Sequence, residues 1–144
     1  MVKKRNDRHE AIRDIVRNNR VKTQRGLVDS LRARGFTCTQ ATVSRDIAEM
    51  GLRKLPEGVY VLAEDLHLQR MVGDLVVSVR RSQQLVLIGT SPGSANAVTT
   101  AIDAAELPGV VGSVAGDDTI LVVCEDESRA AIFADSINRL RPEQ

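Results

Sequence analysis

The chain has 144 residues, 20 Lys+Arg against 19 Asp+Glu, and a formal net charge of +1. That length allows one ordinary domain or two small ones, and its three aromatic residues, Phe36, Tyr60 and Phe133, are too few to stack the bases of single-stranded nucleic acid. The near-zero total conceals an asymmetry, because residues 1–70 carry 15 basic and 9 acidic side chains (net +6) whereas residues 71–144 carry 5 and 10 (net −5).

A basic half followed by an acidic half is the pattern of two binding tasks divided along one chain. Residues 6–19 read as a first helix, with Ile12, Ile15 and Val16 on one face. Lys3, Lys4 and Arg5 ahead of it are a solubilising terminus or an arm for phosphates. A second helix starts after Thr23 as N-cap, buries Leu27, Val28 and Leu31, and stops at Gly35. A third runs from about Gln40 to Met50, with Thr39 as N-cap and Gly51 just past its end. Two short strands, Leu52–Leu55 and Val59–Leu62, flank the turn tripeptide Pro56-Glu57-Gly58. Three short helices and a hairpin describe a winged helix-turn-helix domain over residues 1–62, and the polar stretch Ala63–Arg70 reads as a linker.

The third helix carries the most chemistry. At about 100° per residue, Ile47 and Met50 share the direction of Val43, so these three should be buried. Arg45 points to the opposite side between Ala41 and Ala48, a face slim enough to lie deep in a groove. Ser44 and Thr42 border that face, and Gln40 opens the helix. Arg bonds guanine bidentately, and Ser or Thr can contact a base or a phosphate. A solvated face would look the same in isolation, but residues 1–56 hold 14 basic against 6 acidic side chains, a charge that would release counterions from duplex DNA. Arg53 and Lys54 in the wing serve phosphates and the minor groove, or protect the strand edge.

Beyond Arg70 the period changes to that of strands. Leu75–Val79 and Leu85–Gly89 are joined by Arg80-Arg81-Ser82-Gln83, and Thr90-Ser91-Pro92-Gly93 opens a helix over Ser94–Ala105. Val110–Val114 and Thr119–Cys124 flank Gly116-Asp117-Asp118, and Glu127–Leu140 is a last amphipathic helix. The fold class is therefore α+β: after the winged helix-turn-helix, residues 71–144 form a ββαββα domain with an antiparallel sheet and two helices on one face. The other face should be uncovered, which favours oligomerisation of so small a domain.

Adjacent aspartates in a hairpin serve turn chemistry or, projecting from an apolar sheet end, grip a guanidinium through paired hydrogen bonds. Asp117 and Asp118 suit a metal less well, with two carboxylates and no His nearby. The glycine-containing stretch 89–94 lacks the Lys of a nucleotide-binding loop, but the helix start after it offers N–H groups to a carboxylate, with Asn96 in reach. Cys38 and Cys124, with His9 and His67, give no metal-ligand spacing, and no nucleophile or acid pair argues for catalysis. No apolar run approaches the ~20 residues of a membrane span, and Met-Val-Lys-Lys-Arg lacks the apolar core of a signal peptide. A soluble, cytoplasmic protein is expected.

Thr39-Gln40-Ala41-Thr42-Val43-Ser44-Arg45-Asp46-Ile47 resembles the recognition-helix signature of the bacterial arginine repressor family. Thr90-Ser91-Pro92-Gly93 and Val114-Ala115-Gly116-Asp117-Asp118-Thr119-Ile120 resemble its two C-terminal signatures, so the similarity spans nearly the whole chain. The resemblance implies a transcriptional regulator, not an enzyme, that binds double-stranded operator DNA before arginine biosynthesis genes. It implies a homohexamer of two trimers, with L-arginine as corepressor between the trimers and no other cofactor. Carried onto this sequence, Ser44 and Arg45 would read bases, and Asp117 and Asp118 would hold arginine. Asn96 stands where some members have Gln or His. A ligand-independent architectural DNA-binding protein and a small-molecule enzyme or carrier are the alternatives, and neither requires DNA binding to depend on arginine.

Overall fold

The computed structural model describes residues 5–143, which form two compact units divided between Ala63 and Glu64. The first contains α1 (Arg5–Asn18), α2 (Gln24–Ala33), α3 (Gln40–Met50) and the antiparallel strands β1 (Leu52–Lys54) and β2 (Tyr60–Leu62). Its core comes from the apolar stripes of the three helices: Ile12, Ile15 and Val16, then Leu27, Val28 and Leu31, then Val43, closed by Leu62. Thr23 caps α2 by accepting the Gly26 N–H at 2.9 Å, and Thr39 caps α3 by accepting that of Thr42 at 3.2 Å. Gly51 ends α3 with φ +67°, a left-handed conformation that costs glycine little. The Tyr60 N–H donates to the Val21 carbonyl at 2.8 Å, tying the wing to the segment after α1. Lys3 and Lys4 lie outside the described residues.

The second unit begins with a helix where a linker was expected. α4 spans Ala63–Leu75, and its Leu68 and Val72 are buried in the core of this unit. Leu68, Val72 and Leu75 have helical spacing, but a polar window ending at Arg70 cuts that pattern after its first member. β3 (Val76–Ser82), β4 (Leu85–Thr90), α5 (Ala95–Ala105), β5 (Val110–Ala115), β6 (Thr119–Cys124) and α6 (Glu127–Leu140) follow. The Arg80–Gln83 connection is also revised. Arg80, Arg81 and Ser82 belong to β3, paired with Leu87, Val86 and Leu85, and Gln83 turns the chain at φ +53°.

The four strands pair antiparallel in the order β3-β4-β6-β5. Alternation along them sends Val86, Ile88, Ile120, Val122 and Cys124 toward Val98, Ile102, Phe133 and Ile137 of the two helices. Gly109 makes the close approach beneath α6 possible, because a Cβ there would sit 2.7 Å from the Arg129 side chain. Among the described residues no helix covers the opposite face of the sheet, which exposes Leu85, Leu87, Leu121 and Val114. No described helix is long and apolar enough to cross a membrane.

Candidate nucleic-acid interface and ligand loop

The DNA-facing candidates begin with α3. Gln40, Ala41, Ser44, Arg45 and Ala48 are exposed, Thr42 is half-buried, and Val43 is fully buried. Arg45 thus stands on the solvent side between two alanines. The buried stripe differs from expectation, since Ile47 and Met50 are only half-buried and the second fully buried side chain of α3 is Asp46.

A charged residue buried to 2% exposure needs partners, and α1 supplies them. The Arg8 guanidinium donates from Nε to Asp46 Oδ2 and from Nη2 to Oδ1 at 2.9 Å, and His9 Nε2 lies 2.9 Å from Oδ1. Burial would push the Asp46 carboxyl up, but the hydrogen bonds from Arg8 and His9 and their charge hold it below its ordinary value. The same hydrogen bond to Asp46 raises the Arg8 guanidinium. Asp46, His9 and Glu49 have ligand atoms within 4.8 Å of one another, a grouping that sequence spacing does not reveal. Guanidinium groups already serve these acids: Arg8 takes both oxygens of Asp46, and Arg5 pairs with Glu49 at 3.0 Å.

Arg32, near the end of α2, donates from Nε (3.3 Å) and Nη2 (3.0 Å) to the Cys38 carbonyl, one residue before the Thr39 cap. In the wing, Arg53 and Lys54 are exposed, and the Lys54 ammonium sits 5.3 Å from the centre of the Tyr60 ring.

In the second unit, hydrogen bonds join the strand-to-helix turn before α5 to the hairpin before β6. Thr90 N–H donates to the Asp118 carbonyl at 2.8 Å, and Ala95 N–H to the Asp117 carbonyl at 3.1 Å. The Asp117 carboxylate accepts the Gly93 N–H at 3.2 Å, and with Ser91 donating to Leu75 and Ser94 to Ser91 the main-chain donors from Thr90 through Ala95 are spent within the protein. Asp118 accepts from its neighbour Thr119 Oγ1 at 3.0 Å. Both aspartates and Asn96 are exposed, and Asn96 lies in the first turn of α5, where its N–H and that of Ala97 have no intrahelical acceptor. Gly93 adopts φ +76° with nothing within 4 Å of a Cβ position, so backbone conformation and not space requires glycine. Asp117, Asp118 and Asn96, 22 residues apart in sequence at the extremes, therefore flank one cradle of main-chain donors and carboxylates.

The arginine repressor DNA-binding domain model matches residues 3–68, and the arginine repressor C-terminal domain model matches residues 72–139. The arginine repressor of Halalkalibacterium halodurans is 40% identical over 138 residues, covering 89% of this chain and 93% of that protein. This chain belongs to the arginine repressor family. The arginine repressor of Thermus thermophilus is 43% identical over 140 residues, covering 90% of this chain and 85% of its own. Membership in the arginine repressor family makes this a DNA-binding transcription regulator of the repressor type and not an enzyme. It also gives the two units their separate meanings, with α3 in the DNA-binding domain and the Asp117–Asp118 hairpin in the C-terminal domain.

Proposed function

We propose that this repressor uses L-arginine as its corepressor and then binds operator DNA upstream of arginine biosynthesis genes. The observation that carries the reading is the cradle at the start of α5. The exposed Asp117 carboxylate reaches the Gly93 N–H just ahead of α5, the exposed Asp118 follows it in the chain, and the Asn96 and Ala97 N–H groups at the start of α5 have no intrahelical acceptor. An amino acid with a cationic side chain complements both features: its guanidinium meets carboxylate, and its own carboxylate meets N–H donors. Asp117 accepts from the Gly93 main chain and Asp118 only from the hydroxyl of its own neighbour Thr119, a rotor that can turn away when a guanidinium arrives. Asn96 would add an amide to the same ligand.

The uncovered sheet face supports oligomerisation, and a hexamer of two trimers with arginine between them is the assembly we infer. Aspartates facing each other across the trimers would repel in the free protein. Arginine would offset that repulsion with its guanidinium and ammonium, favouring the arrangement that fits DNA. In the DNA-binding domain, Arg45 and Ser44 would read base edges from the slim face of α3, with Gln40 and Thr42 beside them. Arg53 and Lys54 would take phosphates through the wing. Calorimetry with L-arginine, combined with sedimentation of the same samples, tests the ligand half. Wild type should bind arginine and sediment as a hexamer. Asp118→Asn should lose about ten-fold or more in affinity, as expected for removing a charge-assisted pair. Equal affinity of the two proteins would refute the assignment of the ligand.

A further inference from the structure

Partly exposed Arg8 and His9 close over the buried Asp46 in a charged cluster that neither ligand binding nor base contact uses. We propose that this cluster is the positioning device of the recognition helix, fixing the rotation of α3 about its axis so that Arg45 meets the base edges in register. The inference rests on the reading of α3 as the base-contacting helix.

Three observations carry it. First, only Val43 and Asp46 of α3 are fully buried, while Ile47 and Met50 pack against the core half-exposed, so an ion pair is one of the two deepest anchors of this helix. Second, the contact is bidentate and shielded: Arg8 is 15% and His9 14% exposed, and the guanidinium fork engages both oxygens of a carboxylate that is 2% exposed. The apolar contacts of Val43, Ile47 and Met50 hold the helix against the core but set its rotation loosely, because dispersion contacts are short-ranged and not directional. A planar fork on a carboxylate is directional. Third, Asp46 directly follows Arg45 in the chain, so rotation at one position is transmitted to the other by a rigid helical backbone.

The geometry makes the lever arm consequential. Side chains reach about 5–6 Å from a helix axis, so a rotation of about 20° displaces their ends by about 2 Å. Bidentate hydrogen bonds to a base tolerate only a few tenths of an ångström. His9 holds the carboxylate from a second direction, and Arg5 at Glu49 adds an exposed contact between the same helices. A buried ion pair contributes little net stability compared with apolar side chains of similar volume, which fits a geometric role better than a stabilising one.

The test compares wild type with Arg8→Lys and with the double variant Arg8→Met/Asp46→Leu. The double variant removes one positive and one negative charge, so net charge and phosphate attraction are preserved. Each protein is measured by fluorescence anisotropy, with saturating L-arginine, on two duplexes: one selected by wild type from a random-sequence pool, and a scrambled duplex of equal length. Affinity for the scrambled duplex and its salt dependence should stay close to wild type in both variants. The ratio of selected to scrambled affinity should fall at least about five-fold, the scale of one bidentate base contact. A ratio within two-fold of wild type in either variant would overturn the positioning role. So would a parallel loss on both duplexes, since that is the signature of unfolding alone. Arg45→Ala separates the two readings: if it keeps the ratio, the base-reading assignment of α3 fails as well. If it loses the ratio while the Arg8 variants keep it, positioning alone fails.

Discussion

Arg45 and Asp46 are neighbours with opposite fates, one on the open face of α3 and one buried beneath it. Replacing Arg45 by Ala removes the one long donor of the slim face. Operator preference should fall by about ten-fold or more, as for one bidentate contact, while the proposed hexamer and the proposed arginine binding stay unchanged. Parallel anisotropy and calorimetry measure this, and unchanged operator preference would contradict it. Arg45 was legible because helical periodicity fixes which side of α3 faces away from Val43. Asp46 was not, because its burial depends on Arg8 and His9, 38 and 37 residues away, and periodicity carries no record of such partners. The same limit applied to Asp117. Its exposure in a turn could be read from residues 116–118, but its acceptance of the Gly93 N–H comes from a loop 24 residues earlier.

Helices capped by local residues were the easiest elements to read. Thr23, Thr39 and Gly51 fix both start and stop within a few residues, and α6 runs over Glu127–Leu140 as its apolar spacing indicates. α4 and the end of β3 were harder, since polar residues occupy the outward side of elements whose apolar partners come later in the chain. Two consequences belong at this level. Leu31 is fully buried where α2 meets the other helices, so Leu31→Ala should cost about 2–5 kcal/mol, read from the urea midpoint. The α1–α3 contact should also confer acid sensitivity. Burial works to raise the Asp46 carboxyl, and Glu49 on α3 is a like charge, but the hydrogen bonds and charge of Arg8 and His9 from α1 outweigh burial and leave it below its ordinary 3.8. The unfolded chain then binds this proton at a higher pH than the native chain. The contribution of Asp46 is complete above the unfolded value and is lost as pH falls from about 3.8 through the lower native value. Urea unfolding from pH 5 to pH 2.5 should show a steeper loss in wild type than in Asp46→Asn. Identical slopes would contradict the pairing.

For the whole molecule, the division between basic and acidic halves matters more than the net charge of +1. The basic residues concentrate in the domain that meets phosphate, and the acidic half contains the paired aspartates proposed for a cationic amino acid. Nothing in the sequence of one chain states how many copies assemble, but the uncovered sheet face does set a requirement. Leu87 and Leu121 are direct cross-strand neighbours on that face, exposed to 43% and 37%. A charge placed between apolar neighbours of a second copy would be buried without a partner. Leu87→Glu should therefore break the proposed assembly, lowering the sedimenting mass while each chain stays folded by circular dichroism. An intact assembly would show that this face is not the contact. The proposed ligand control would join the two halves, and it is open to a single titration. Operator affinity should be measured at fixed salt against L-arginine, ornithine, citrulline and lysine. Arginine should strengthen binding at least about ten-fold, which corresponds to a coupling of about 1.4 kcal/mol. Citrulline, uncharged at the side chain, should have little effect, and ornithine and lysine should act weakly for want of the planar fork. Operator binding that is equally tight without any of the four would contradict an arginine-responsive repressor.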